Sequence, residues 1–243
     1  MAAHWRESHG LGESDAFTAS EFPARDYDRV IALTRSGTTS EVVDLLERLR
    51  GNIPTLVVVG DRQTPAVEAA DQRIDLSFAD ERSVVQTRFA TSVLALFAAA
   101  YGDSVTELIT DAEQVLTEPV ANDLVEVEQI TFLGRGWTIG VAHEAALKFR
   151  ETSSSWAESY PAMDYRHGPI AIAAPGRAVW MFGPAPGGLA DQVRATGALF
   201  REHDRHPLAE LVAAQRVAVA RAVRLGLNPD EPRHLTRSVV LSD

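Results

Sequence analysis

Short apolar runs alternate with amphipathic stretches along the chain. Residues 28–34 (DRVIALT), 54–60 (PTLVVVG), 73–77 (RIDLS), 129–134 (QITFLG) and 178–183 (AVWMFG) are short, continuous and rich in β-branched side chains. That is the pattern of parallel strands buried on both faces. Helical spacing of apolar positions marks 40–50, 65–71, 84–101, 138–152, 187–202 and 208–225. The alternation predicts an α/β fold with parallel sheets. Residues 84–101 are apolar nearly all round, which predicts a helix buried between layers or subunits.

Two segments share one plan. IALTRSGTTSEVVDLL and TFLGRGWTIGVAHEAAL each run from an apolar strand through a glycine-containing turn into an amphipathic helix. The stretch VLTEPVANDLVE, residues 115–126, separates them around Pro119. Two related doubly wound subdomains, residues 1–118 and 119–243, are therefore expected.

Composition narrows the function. At 243 residues and 45% hydrophobic, the chain can bury a normal core. No apolar run approaches the ~20 residues of a membrane span, and MAAHWRESHG lacks the apolar region of a secretion signal. Cysteine is absent, which excludes disulfides and a thiol nucleophile. A cytoplasmic protein is the simplest expectation. The net charge of −11 argues against nucleic acid, whose phosphates such a field repels. Of 23 basic residues only Lys148 is a lysine.

The turn after the first apolar run carries the clearest chemistry. Thr34, Ser36, Thr38, Thr39 and Ser40 put five hydroxyls within seven residues, with Gly37 among them. In a parallel sheet such a turn lies at the strands' carboxyl edge, where ligands gather. The helix that follows offers unpaired N–H groups and a partial positive charge. One hydroxyl would suit a helix cap alone; five and a glycine suit a phosphate monoester. No Gly-Lys-Ser/Thr follows, so this is not a P-loop.

A second constellation lies on the 138–152 helix. Glu144, Lys148 and Glu151 stand at spacings of four and three and share one face. An exposed salt-bridge stripe would look the same. A shielded carboxylate beside an ammonium is also what proton transfer next to a sugar carbonyl needs. His167, in YRHGP, sits in a turn and is either a loop histidine or an acid–base group. His143 is read as structural, and the remaining histidines show no metal spacing. No metal or cofactor is expected.

RSGTTSE, FLGRG, EAALKFRE, AESYPAMDYRHGP and NPDEPRHLTRSVVL, in this order, resemble motifs of the sugar isomerase (SIS) family. They are similar to the isomerase half of glucosamine-6-phosphate synthase and to amino-sugar phosphate deaminases and isomerases. The resemblance implies two flavodoxin-like three-layer subdomains with parallel sheets, and a homodimer with its site shared between subunits. By it, Glu151 is the proton-shuttling base, with Glu144 and Lys148 beside it. His167 assists ring opening across the dimer. Thr34, Ser36, Gly37, Thr38 and Thr39 hold the phosphate, helped by Val84, Val85 and Gln86 in a second sugar-contacting turn. Arg237 stands where the synthase has a Schiff-base lysine. Arginine cannot form that imine, so Arg237 is read as a phosphate or carboxylate clamp.

Two departures from the family pattern are expected. The first strand and its GCGTS-like turn are missing, so residues 1–22 read as the following helix and second strand. GALFREHDRHPLAEL leaves little room for a last strand. Glutamine-dependent amide transfer needs a cysteine nucleophile and is set aside. The expected function is a sugar-phosphate isomerase or isomerising deaminase acting on a hexose or hexosamine 6-phosphate. The alternatives are a non-catalytic sugar-phosphate-binding protein and a structural dimer partner.

Overall fold

A computed structural model describes residues 1–23 and 25–241. In chain order its elements are α1 (Ala2–Ser8), β1 (Val30–Thr34), α2 (Ser40–Leu49), β2 (Thr55–Val59), α3 (Pro65–Ala69), β3 (Gln72–Asp75) and α4 (Arg88–Tyr101). There follow α5 (Thr106–Thr117), α6 (Asn122–Glu126), β4 (Gln129–Gly134), α7 (Thr138–Ser153) and β5 (Ala157–Pro161). The chain continues through β6 (Arg177–Met181), α8 (Leu189–Ala195), β7 (Leu199–Glu202) and α9 (Pro207–Arg224). No described helix is long and apolar enough to cross a membrane.

The chain divides into two compact units, one of Met1–Glu13 with Ala98–Arg233, the other of Ser14–Phe97 with the segment from His234. The smaller unit holds a parallel three-stranded sheet in the order β1-β2-β3. Leu46 of α2 and Ala66 and Ala69 of α3 pack on Val57 and Val59. Val30, Leu45 and Leu49 form a second cluster with Phe22 and Tyr27. No described strand precedes β1, which is therefore an edge. Ile31 and Leu33 on it are 41% and 46% exposed, unusual for a strand of this apolar composition.

The larger unit holds a parallel four-stranded sheet in the order β5-β4-β6-β7. Leu133, Val179 and Met181 point to one face and pack with Leu189 and Val193 of α8. Phe132 and Trp180 point to the other, where Phe132 meets Phe149 of α7 edge-on at 5.1 Å. Both sheets are wholly parallel, as the apolar runs require. Pro119 lies inside this unit, because α5 is fastened to α9. Arg216 donates to the carbonyls of Val115 and Glu118, and Arg205 pairs with Glu118 at 3.0 Å and Glu210 at 3.2 Å.

Several sequence expectations need correction. Residues 187–202 are not one helix: Gly197, at φ 84°, turns the chain left-handed after α8 and lets β7 pair with β6. A last strand is thus present after all. The expected 84–101 helix starts only at Arg88, because the Glu81 carboxylate accepts from Thr87 N (2.9 Å) and Phe89 N (3.0 Å) and keeps the preceding residues in a loop. Residues 14–22 form no strand, only a 3-10 turn at Ala19–Glu21. Helix α5 carries Leu108, Ile109, Ala112, Val115 and Leu116 at helical spacing, a signal that sequence reading passed over, whereas the polar strand β5 and the five-residue α6 carry too little periodicity to be read from sequence.

The turn that launches α7 is tight. A Cβ on Gly134 would lie 2.2 Å from Thr138 O, in backbone that cannot yield. The variant Gly134→Ala is expected to lose about 2–4 kcal/mol, measured by chemical denaturation. A loss below about 0.5 kcal/mol would refute the close approach.

Candidate functional site

In the smaller unit, β1 ends at Thr34 and the chain turns through Arg35–Thr39 into α2. Gly37 has φ 65°, and a Cβ there would lie 2.1 Å from Thr64 Oγ1, so only glycine fits. Two hydroxyls shape the turn itself: Thr34 Oγ1 accepts from Gly37 N at 3.2 Å, and Ser36 Oγ accepts from Thr38 N at 3.3 Å. Thr39 is the N-cap of α2, yet its side chain makes no capping bond. Capping therefore does not account for these hydroxyls.

The chain's end folds onto the same turn. Thr38 Oγ1 and Ser238 Oγ are 2.8 Å apart, Ser40 N donates to Val239 O at 3.1 Å, and Leu241 N donates to Ser40 Oγ at 2.9 Å. Carbonyl and hydroxyl oxygens of the tail thus lie where the helix start presents donors. Arg237 behaves as a carboxylate clamp within the chain: its guanidinium donates to Asp80 Oδ1 at 2.6 Å and to Glu81 O.

The 80–86 loop is organised by groups that sequence reading did not single out. Glu81 caps α4, with Thr87 Oγ1 also donating to it at 2.7 Å. Arg35 is 1% exposed and reaches the loop's carbonyls. Val85 is buried, whereas Val84 and Gln86 are half-buried. The spacing of a glutamate six residues before a hydroxyl at a helix start could have pointed to Glu81. Nothing in the sequence marks Arg35 as buried.

In the larger unit, α7 carries Glu144, Lys148 and Glu151. Alanines 142, 145 and 146 are fully buried and bring the helix close to its neighbours. The Lys148 side chain is 5% exposed, with Nζ 2.6 Å from Glu151 Oε2 and 3.4 Å from Glu144 Oε1. The exposed salt-bridge stripe is thereby excluded, since the lysine is inside. Glu144 Oε1 is buried without a hydrogen bond, the lysine being too distant for a good one. Burial pushes the Glu144 carboxyl up, against the opposing pull of Lys148 and with help from the Glu151 charge. Burial also pushes His143 down, and its Nδ1 lies 2.8 Å from Ser159 Oγ.

His167 ends the 3-10 turn Asp164–His167 and is exposed. Its neighbour Arg166 anchors this turn, donating to Gln192 Oε1 at 2.8 Å and Gly187 O at 2.6 Å. The turn after β4 is closed by its own chain. Thr138 Oγ1 lies 2.9 Å from both Arg135 O and Phe182 O, and Trp5 of α1 stacks on Trp137 at 4.6 Å. Among the described residues no group of three or more His, Asp or Glu side chains could hold a metal ion.

Solved structures share this arrangement of strands and helices. Glucosamine-6-phosphate deaminase from Thermotoga maritima superposes over 98% of this chain and 85% of its own, with TM-score 0.82 and 23% identity. Tagatose-6-phosphate ketose/aldose isomerase from Escherichia coli covers 99% and 81%, with TM-score 0.77 and 19% identity. The fold is the SIS fold. Sequence relatives agree with it. Glutamine–fructose-6-phosphate aminotransferase (isomerizing) of Nostoc sp. is 32% identical over 56% of this chain and 26% of its own length. The enzyme of the same name from Bartonella quintana is 24% identical over 99% of this chain and 49% of its own. The chain thus spans a quarter to a half of these relatives. No family model matches it.

The raised Glu144 carboxyl has a consequence for stability. A folded-state pKa above the unfolded value contributes most below the ordinary carboxylate range and is lost as pH rises through the raised value. Relative to Glu144→Gln, the wild type should therefore lose stability across that window as pH rises. Paired thermal melts from acid to neutral pH measure this; a constant difference between the two proteins would show that Glu144 is not held protonated by burial.

Proposed function

We propose that this chain is a sugar-phosphate isomerase or isomerising deaminase acting on a hexose or hexosamine 6-phosphate. The observation that carries the reading is the Glu144–Lys148–Glu151 cluster on α7, a buried ammonium between two half-buried carboxylates. Burying an ammonium against partly shielded carboxyls has a cost that an exposed stripe avoids; proton transfer beside a carbonyl is a use for it. The SIS fold and the relatives' printed activities support the same class.

In this reading Ser36, Gly37, Thr38 and Thr39 hold the phosphate, with Thr34 setting the turn. Val84, Val85 and Gln86 contact the sugar. His167 protonates the ring oxygen as the ring opens. Glu151 takes the C2 proton of the open aldose and returns it to C1, while a proton moves from O2 to O1. Atoms balance, and the product is the ketose. Lys148 stabilises the developing enediolate oxygen and holds Glu151 in place. For an amino sugar the ammonia leaves by hydrolysis, since Arg237 cannot serve as an imine-forming amine. The protein works in the cytoplasm as a homodimer, with His167 contributed to the partner's site.

NMR-followed conversion of glucosamine 6-phosphate and fructose 6-phosphate tests the chemistry. Glu151→Gln is expected to lower turnover at least about 100-fold while affinity changes little. Failure of folded wild type to turn over any of a panel of sugar phosphates, with binding retained, would leave a binding protein instead. Light scattering is expected to give twice the chain mass; a monomer at working concentration would remove the shared site.

A further inference from the structure

Arg35, between Thr34 and Ser36 of the hydroxyl loop, would be the obvious cation for a bound phosphate. Its placement says otherwise. It is 1% exposed, among the largest fully buried side chains of the protein. Its Nη1 donates to Ser83 O at 2.7 Å and its Nη2 to Val84 O at 3.3 Å. Its own carbonyl accepts from Gly60 N at 3.0 Å. The side chain thus turns inward from the hydroxyl loop and forks onto two successive carbonyls of the second turn.

Gly60 supplies an independent sign that this path is built in. Its φ is not left-handed, so the backbone there does not require glycine. Yet a Cβ would lie 3.0 Å from Arg35 O and 3.2 Å from Arg35 Cγ. The missing side chain leaves room for the arginine's stem as it passes the end of β2.

We propose that Arg35 is a positioning residue that fastens the 83–86 turn to the hydroxyl loop and orients that turn's amides toward the sugar end of the ligand. In a trans peptide the carbonyl and the next N–H point in opposite directions. With Ser83 O and Val84 O aimed at the guanidinium, the N–H groups of Val84 and Val85 face the other side of the turn. A rigid fork is needed to hold two carbonyls at once, which a lysine ammonium cannot reproduce. Arg35 therefore acts through the turn, and the hydroxyl loop remains the phosphate grip. This inference rests on the sugar-phosphate reading above for its ligand.

The test compares wild type, Arg35→Met and Arg35→Lys by calorimetry with inorganic phosphate and with glucosamine 6-phosphate, and by hydrogen exchange of the Thr87 and Phe89 amides, which the loop holds on the Glu81 carboxylate. In Arg35→Met, affinity for the sugar phosphate is expected to fall about tenfold or more, while that for inorganic phosphate stays within about threefold. Exchange at these two amides should rise about tenfold, with the rest of the unit unchanged. Arg35→Lys should recover little of either. Parallel losses for both ligands, or unaltered exchange at these amides, would overturn the inference. Should Arg35→Met fail to fold, Gly60→Ala, which presses on the arginine stem, is expected to show the same split in smaller measure, and its absence there would count against Arg35. If wild type binds neither ligand, the sugar-phosphate reading fails, and the exchange measurement still decides whether Arg35 holds the turn.

Discussion

A parallel strand that runs directly into a helix leaves that helix's first amides without partners inside the helix. This constraint recurs at the two turns that matter most, after β1 and after β4. Whatever fills those amides decides what each turn can do. After β1 the Thr34 and Ser36 hydroxyls accept from the Gly37 and Thr38 amides just before the helix, and Val239 O of the exposed tail accepts from Ser40 N, the first helical amide.

After β4 the same architecture is closed. Thr138 returns its hydroxyl to the turn and to the Phe182 carbonyl, and a Trp5–Trp137 stack seals it. The similarity in plan between the two strand–turn–helix segments therefore ends in different chemistry. The helix launched by the closed turn instead carries its reactive groups along its body, at Glu144, Lys148 and Glu151. There the relevant variable is water access: the deeper Glu144 is driven up by burial, while Lys148 lies closest to Glu151.

Much of the frame was legible because short continuous apolar runs mark parallel strands, those at the partly exposed edges β1 and β3 included. Each of the five runs became a strand, and the spacing of Glu144, Lys148 and Glu151 placed them on one helical face as expected. Elements with mixed faces were not legible. In β5 the sequence AESYP has two consecutive polar residues at its centre and ends in proline, as an edge strand permits. The run around Leu199 looked helical until Gly197 allowed the chain to reverse. The start of α4 was misjudged because a distant carboxylate, Glu81, not the local apolar pattern, sets where its amides are satisfied.

Sequence alone determined the α/β class, the hydroxyl turn, the carboxylate helix and the SIS resemblance, since these rest on local periodicity and on residue types at fixed spacing. Only the tertiary structure decided that Lys148 is inside and not on a solvated stripe, that Arg237 holds Asp80, and that Arg35 turns away from the hydroxyl loop. Burial and partner choice depend on side chains brought together from remote parts of the chain, as when Arg35 meets Ser83 and Val84. No local pattern encodes those meetings, and they set the charge, the proton affinity and the direction of every group proposed to act.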